Sequence, residues 1–163
     1  MNDDELTAAA SAVLDRAKAE GWKIATAESC TGGLIAAGLT EIPGSSNVFE
    51  RGFVTYSNEA KTELLGVPAD LIAEHGAVSE PVARAMAEGA LARSRADMAV
   101  AVTGIAGPGG GSAEKPVGLV FVGAARRGKA AVIERHVFDG DRAEVRRATV
   151  LRALELILSL VGG

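Results

Sequence analysis

Apolar residues at Leu6, Ala10, Val13, Leu14 and Ala17 recur at intervals of three and four, the spacing of one buried face on a helix over residues 3–20. Lys23–Glu28 is a short run ahead of a Ser/Thr/Gly cluster and reads as the first strand. An Ala- and Leu-rich helix follows Thr31-Gly32-Gly33 and ends near Pro43-Gly44, with Gly44–Asn47 as a loop. Gly52–Tyr56 reads as a second strand, and Ser57 or Asn58 can cap a helix that closes at Gly66. Pro68–Glu74 predicts a further short helix. Ser79-Glu80-Pro81 opens a longer one reaching about Arg95, since proline is tolerated in a first turn.

The pattern changes after Arg95. Met98–Val102 is apolar throughout, as in a strand covered on both faces. Val117–Ala125 and Ala131–Phe138 read as strands of an antiparallel hairpin joined across Arg126-Arg127-Gly128-Lys129. Asp141 and Glu144 have the spacing of a capping box, and the last helix carries Val150, Leu154, Ile157, Leu158 and Val161. Strands alternating with helices, then a hairpin, predict an α/β fold with a mixed, mainly parallel sheet between helical layers. There is no repeat or linker, so residues 1–163 are read as a single domain.

Composition narrows this picture. Aromatic residues make up only 4% of the chain, so the core must be built from Ala, Val, Leu and Ile, which lets helices approach a sheet closely. The net charge of −4 is spread over mixed signs, without the basic face of a nucleic-acid binder. The densest basic cluster, Arg126, Arg127 and Lys129, reads as a solvated hairpin turn. Cys30 is the only cysteine, which excludes an intrachain disulfide. The start is acidic (Asp3, Asp4, Glu5) and no apolar run has membrane-spanning length, so the expectation is a cytoplasmic protein that contacts no membrane.

In sheets of this kind ligands bind beyond the carboxyl ends of the strands. Three polar, Gly-rich segments fall there: Glu28–Gly33, Tyr56–Lys61 and Thr103–Ser112. Ser29 leaves a strand just before a helix that begins with Gly32 and Gly33, where backbone N–H groups can face an oxyanion. The same position also suits a plain helix cap. Lys61 falls in the first turn of its helix, where the dipole disfavours a cation, and partial burial would make it a base; an exposed surface lysine fits the same letters. A Ser-Lys pair activates a hydroxyl without histidine.

The rivals are weaker. Cys30 is either a second nucleophile or a small core residue, and His136 could join a triad with Ser29 only by a fold that no spacing signals. His75 reads as a charge partner at a helix end. No spacing of metal ligands occurs. The loop from Thr103 to Ser112 has five glycines in ten residues and can cradle phosphate or ribose, although it matches no strict nucleotide fingerprint.

Five segments taken in order carry a resemblance. Ala27-Glu28-Ser29-Cys30-Thr31-Gly32-Gly33, Tyr56-Ser57-Asn58 with Lys61, Gly76-Ala77-Val78-Ser79-Glu80, Thr103-Gly104-Ile105-Ala106-Gly107-Pro108 and Lys115-Pro116-Val117-Gly118 resemble the C-terminal domain of the competence- and damage-inducible protein CinA. That family includes nicotinamide-nucleotide amidases. The resemblance implies a three-layer α/β/α sandwich and cleavage of nicotinamide mononucleotide to nicotinate mononucleotide and ammonia. It implies Ser29 as nucleophile, Lys61 as general base, Tyr56 as their hydrogen-bonding partner, and an amide of Thr31, Gly32 or Gly33 at the oxyanion site. Thr103, Gly104, Gly107, Gly109 and Gly110 would hold the nucleotide, and Arg142 its phosphate, unless Arg142 is only a first-turn helix residue. This scheme needs no metal or organic cofactor, and the short apolar helices suit a homodimer. The alternative is a nucleotide-binding or regulatory module of the same type that has lost useful turnover. A phosphotransferase is a third reading, and no magnesium ligand set supports it.

Overall fold

The computed structural model describes residues 3–163. Its elements are α1 (Asp4–Glu20), β1 (Ile24–Glu28), α2 (Leu34–Thr40), a 3-10 turn (Ser45–Asn47), β2 (Phe49–Val54) and α3 (Asn58–Leu65). They continue with α4 (Ala69–His75), α5 (Glu80–Ala92), β3 (Met98–Gly104), β4 (Leu119–Arg126), β5 (Val132–Val137) and α6 (Arg142–Leu160). The five strands form one sheet in the order β2-β1-β3-β4-β5. β1 pairs parallel with β2 and β3, whereas β3–β4 and β4–β5 are antiparallel. Only β4 therefore opposes the common strand direction, and the expected hairpin is β4–β5.

Alternation along the strands sorts the side chains into two cores. Met98, Val100 and Val102 of β3 point to one face, with Ile24 of β1 and Val120, Val122 and Ala124 of β4. There they meet Ala10, Val13, Leu14 and Ala17 of α1 and Val150, Ala153, Leu154 and Ile157 of α6. The other face presents Ala25, Ala27, Ala99, Ala101 and Ala125 to Leu65, Ile72, Val82, Met86, Ala87 and Ala90. The large branched residues thus lie towards α1 and α6, and alanines lie towards α5. The result is the three-layer sandwich.

The alanine face brings α5 close to its neighbours. At Gly89 an added Cβ would lie 2.0 Å from the Leu65 carbonyl oxygen, at the end of α3. In an exposed helix Gly→Ala is favourable by about 1 kcal/mol. Here it forces α5 away from α3, so Gly89→Ala should destabilise the fold by ~3 kcal/mol, measured by denaturant unfolding.

Parallel register sets the position of the site. Glu28 at the end of β1 is paired with Val54 on one side and Val102 on the other. β1 and β2 end together, so that Ser29 and Thr55 follow them side by side, next to Thr103 near the end of β3. β2 is displaced from the expected Gly52–Tyr56: it runs from Phe49 to Val54, because its partner β1 ends at Glu28. The Thr55 amide still bonds to the Glu28 carbonyl (2.9 Å), and beyond it the backbone turns inward. α5 stops at Ala92 instead of about Arg95. Among the described residues no helix is long and apolar enough to cross a membrane.

Candidate active site

Glu28 is the last residue of β1 and is completely buried. Its carboxylate accepts from Thr31 Oγ1 (2.5 Å), the Ile35 amide (2.8 Å) and the Ala36 amide (3.0 Å). Two of these donors are first-turn amides of α2, which lack partners inside the helix. Gly33, the residue before α2, has φ +110° and no side chain to supply a cap. Glu28 replaces that cap from the strand, and the residues between become a tight turn. Within it the Gly32 amide bonds to the Ser29 carbonyl (3.1 Å), with Gly32 at φ +59°. The Ser29 amide bonds to the Val102 carbonyl of β3 (3.1 Å). Ser29 is thus tied at both its amide and its carbonyl, with its side chain at the cleft.

Lys61 arrives from the other side. Ser57 caps α3 by accepting from the Ala60 amide (3.0 Å), and α3 carries Lys61 inward to zero exposure. Its Nζ is 3.0 Å from Ser29 Oγ, 2.7 Å from the Thr55 carbonyl oxygen and 3.4 Å from that of Tyr56. No carboxylate is among these neighbours. Burial therefore dominates and lowers the Lys61 pKa from its usual 10.5 to about 8. A neutral amine keeps two hydrogens for the two carbonyls, which leaves its lone pair for the Ser29 hydroxyl.

Cys30 lies in the hydrophobic core, and burial pushes its thiol up to about 11. The thiol therefore stays protonated at neutral pH. His136 is on β5, at the far edge of the sheet, where it bonds to Glu134 and stacks on Phe138. It has no part near Ser29. His75 ends α4, as expected. Among the described residues no group of three or more His, Cys, Asp and Glu side chains could hold a metal ion.

A cleft of about 300 Å³ opens over Ser29 and Lys61, a size at the lower end for small-ligand sites. Cys30, Asn58, Ala77, Val78, Thr103, Gly104, Gly107, Gly109, Gly110 and Arg142 line it, with Tyr56 at the rim. The three segments picked out by sequence do converge. Their individual placements differ from what was expected. Tyr56 is 64% exposed; its backbone carbonyl faces Lys61, while its hydroxyl accepts from Arg142 (3.4 Å). Thr31, Gly32 and Gly33 do not line the cleft. The Thr31 hydroxyl is spent on Glu28 and the Gly32 amide on Ser29, because the turn needs both to close. The amides of Thr31 and Gly33 find no acceptor among the described residues, and that of Cys30 meets only its own thiol.

Thr103 donates to the Ala77 carbonyl (2.9 Å), which ties the 77–78 segment to the cleft wall. Gly104 is needed for packing, since a Cβ there would lie 2.6 Å from Val120. Gly109 is open, and Gly110 has φ +88°. Arg142, the first residue of α6, donates to the Gly107 carbonyl (2.9 Å) and reaches over the cleft. Both of its partners are neutral, and among the described residues it pairs with no carboxylate, so its charge is available to a ligand.

Sequence reasoning missed Glu28 as a cap, the carbonyls of Thr55 and Tyr56, and Arg146. Arg146 follows Arg142 by four residues, one helical turn, which was the available signal.

The chain matches the model of the CinA C-terminal domain over residues 6–161. It is 53% identical to the nicotinamide-nucleotide amidohydrolase PncC of Escherichia coli K12, over 96% of this chain and 95% of that protein. It is 58% identical to a CinA-like protein of Akkermansia muciniphila over 83% of this chain, and that match covers only 33% of the longer protein. The crystal structure of the competence/damage inducible protein CihA from Agrobacterium tumefaciens superposes with a TM-score of 0.95 at 50% identity, covering 98% of both chains.

Proposed function

The chain belongs to the CinA C-terminal domain family, and from that premise we propose that it is a nicotinamide-nucleotide amidohydrolase acting through a Ser29–Lys61 pair. The observation that carries the reading is the 3.0 Å approach of a wholly buried lysine amine to Ser29 Oγ, with two backbone carbonyls directing its remaining hydrogens. A lysine kept only for surface charge has no reason to enter the core, where an unpaired cation is costly. The near full-length similarity to the E. coli amidohydrolase supplies the substrate class.

In the proposed reaction neutral Lys61 takes the Ser29 proton as Oγ attacks the carboxamide carbon of nicotinamide mononucleotide. Negative charge collects on the carbonyl oxygen, and the backbone amide of Cys30, the turn residue that lines the cleft with Ser29, is its proposed donor. Collapse breaks the carbon–nitrogen bond, and Lys61 returns the proton so that ammonia leaves. Water, deprotonated by Lys61, then attacks the ester on Ser29. Collapse of the second tetrahedral intermediate frees nicotinate mononucleotide, and the proton goes back to Ser29. None of these proton transfers uses a metal or an organic cofactor.

The test is ammonia release from nicotinamide mononucleotide by the metal-free protein. Turnover of the nucleotide, with free nicotinamide cleaved poorly, supports the reading. Nucleotide binding without ammonia would replace it with a binding module. Arg142 is the proposed phosphate contact, a charge-assisted pair at the cleft rim. Arg142→Ala should raise KM for the mononucleotide ~10- to 100-fold and change kcat less than about threefold, read from steady-state kinetics. An unchanged KM would remove Arg142 from phosphate recognition.

A further inference from the structure

Arg146 projects from the first half of α6 onto the back of the nucleophile turn. Its Nε donates to the Cys30 carbonyl (3.1 Å) and its Nη2 to the Thr31 carbonyl (3.2 Å). The guanidinium also lies over Gly32, where an added Cβ would be 3.6 Å from Nη2. Among the described residues Arg146 pairs with no carboxylate. Its charge is spent on two successive peptide groups.

Those two peptides are the ones that matter to the turn. A trans peptide is planar, so its N–H points opposite to its carbonyl. With the Thr31 carbonyl turned to Arg146, the Gly32 amide points back to the Ser29 carbonyl, where it is bonded at 3.1 Å. With the Cys30 carbonyl turned to Arg146, the Thr31 amide faces away from α6 and remains uncommitted. A cation on a carbonyl polarises its peptide and strengthens the N–H on the opposite edge as a donor. Glu28 holds the turn from the inside through Thr31 Oγ1 and the α2 amides, so the peptide planes are fixed from both sides.

We infer that Arg146 is a positioning residue for the reaction: by holding the Cys30 and Thr31 carbonyls it fixes the turn that presents Ser29 Oγ and the Cys30 amide, the two turn positions that line the cleft, to the reacting carbon and the developing oxyanion. This inference rests on the amidohydrolase reading above. α6 thereby serves the site twice, with Arg142 towards the ligand and Arg146, one turn further, behind the nucleophile. Fixed donors act most where charge develops, so the effect falls on kcat and spares ground-state binding.

The experiment compares wild type, Arg146→Ala and Arg146→Lys in ammonia release from nicotinamide mononucleotide, with nicotinate mononucleotide binding stoichiometry as a count of competent sites. Arg146→Ala should lose kcat ~30-fold per competent site, with KM within about threefold and the pH midpoint of kcat unmoved. Arg146→Lys should recover part of the loss. Added guanidinium should raise turnover of Arg146→Ala at least ~5-fold and leave the wild type unchanged. A kcat per competent site equal to wild type, or a loss that guanidinium does not relieve, would overturn the positioning role. Should Arg146→Ala fail to fold, Arg146→Lys and Arg146→Gln carry the same comparison. Wild-type turnover with undiminished variants overturns this inference alone, whereas a wild type that releases no ammonia overturns the amidohydrolase reading with it.

Discussion

Ser29→Ala is expected to reduce ammonia release by at least ~10⁴-fold while the protein stays folded. In the proposed scheme the attacking oxygen is then gone, and no other group can take its place. Cys30 is the adjacent candidate, but its thiol is core-packed and its pKa lies near 11. The fold should tolerate the change, because Ser29 is anchored by its amide to Val102 and by its carbonyl to Gly32, neither of which involves Oγ. Lys61 keeps the Thr55 and Tyr56 carbonyls as partners. A melting temperature within a few degrees of wild type, together with lost turnover, is the expected pair of results. Undiminished turnover would end the covalent scheme and point to direct attack by water.

The second large effect concerns Lys61. Lys61→Met should lower kcat by at least ~10³-fold, because nothing else in the cleft can take the Ser29 proton. Lys61→Arg should be equally inactive at every pH, since a guanidinium does not deprotonate. In the proposed scheme the reactive form of the wild type is the neutral amine. Its pKa of about 8 predicts that kcat rises roughly tenfold per pH unit below pH 8 and levels off above it. A rate that fell on going from pH 6 to pH 8 would contradict Lys61 as the base.

Stability should follow the same group with its own sign. Below about pH 8 the native and unfolded chains both carry the proton, and folding bears the full cost of burying a cation. Between about pH 8 and the unfolded value near 10.5 the native state has lost a proton that the unfolded chain retains, so stability climbs with pH across that window. Lys61→Met removes the cost. Its melting temperature at pH 7 should equal or exceed that of the wild type, and the difference should narrow towards pH 10. Loss of activity with no loss of stability is what a strained functional group produces, and a structural lysine would show the opposite.

Much of this was legible in the letters. The helical faces of α1 and α6, the caps at Ser57 and Gly66 and the capping box of Asp141 and Glu144 are local features, decided by side chains a few residues apart. The continuous apolar run Met98–Val102 announced a strand covered on both faces, and it is the body of β3. Strand ends were less legible. β2 closes two residues early because its length is set by β1, a partner distant in sequence.

The sequence by itself determined the α/β class and the three segments at the strand ends, and offered Ser29 and Lys61 as candidates for the chemistry. It left each of them with a bland rival, because cap and nucleophile, or surface lysine and buried base, are written with the same residues. Only the tertiary structure brought Lys61 into the interior and to within 3.0 Å of Ser29 Oγ. Parallel register put Ser29, Thr55 and Thr103 at one edge, and α3 carried Lys61 into a place where burial, and no counter-ion, sets its proton affinity. The same packing turned the Tyr56 hydroxyl away from the pair and brought Arg146 across 116 residues to the carbonyl of Cys30. The physical reason is that dielectric environment and hydrogen-bond geometry belong to groups brought together in space, and the order of residues along a chain does not contain them.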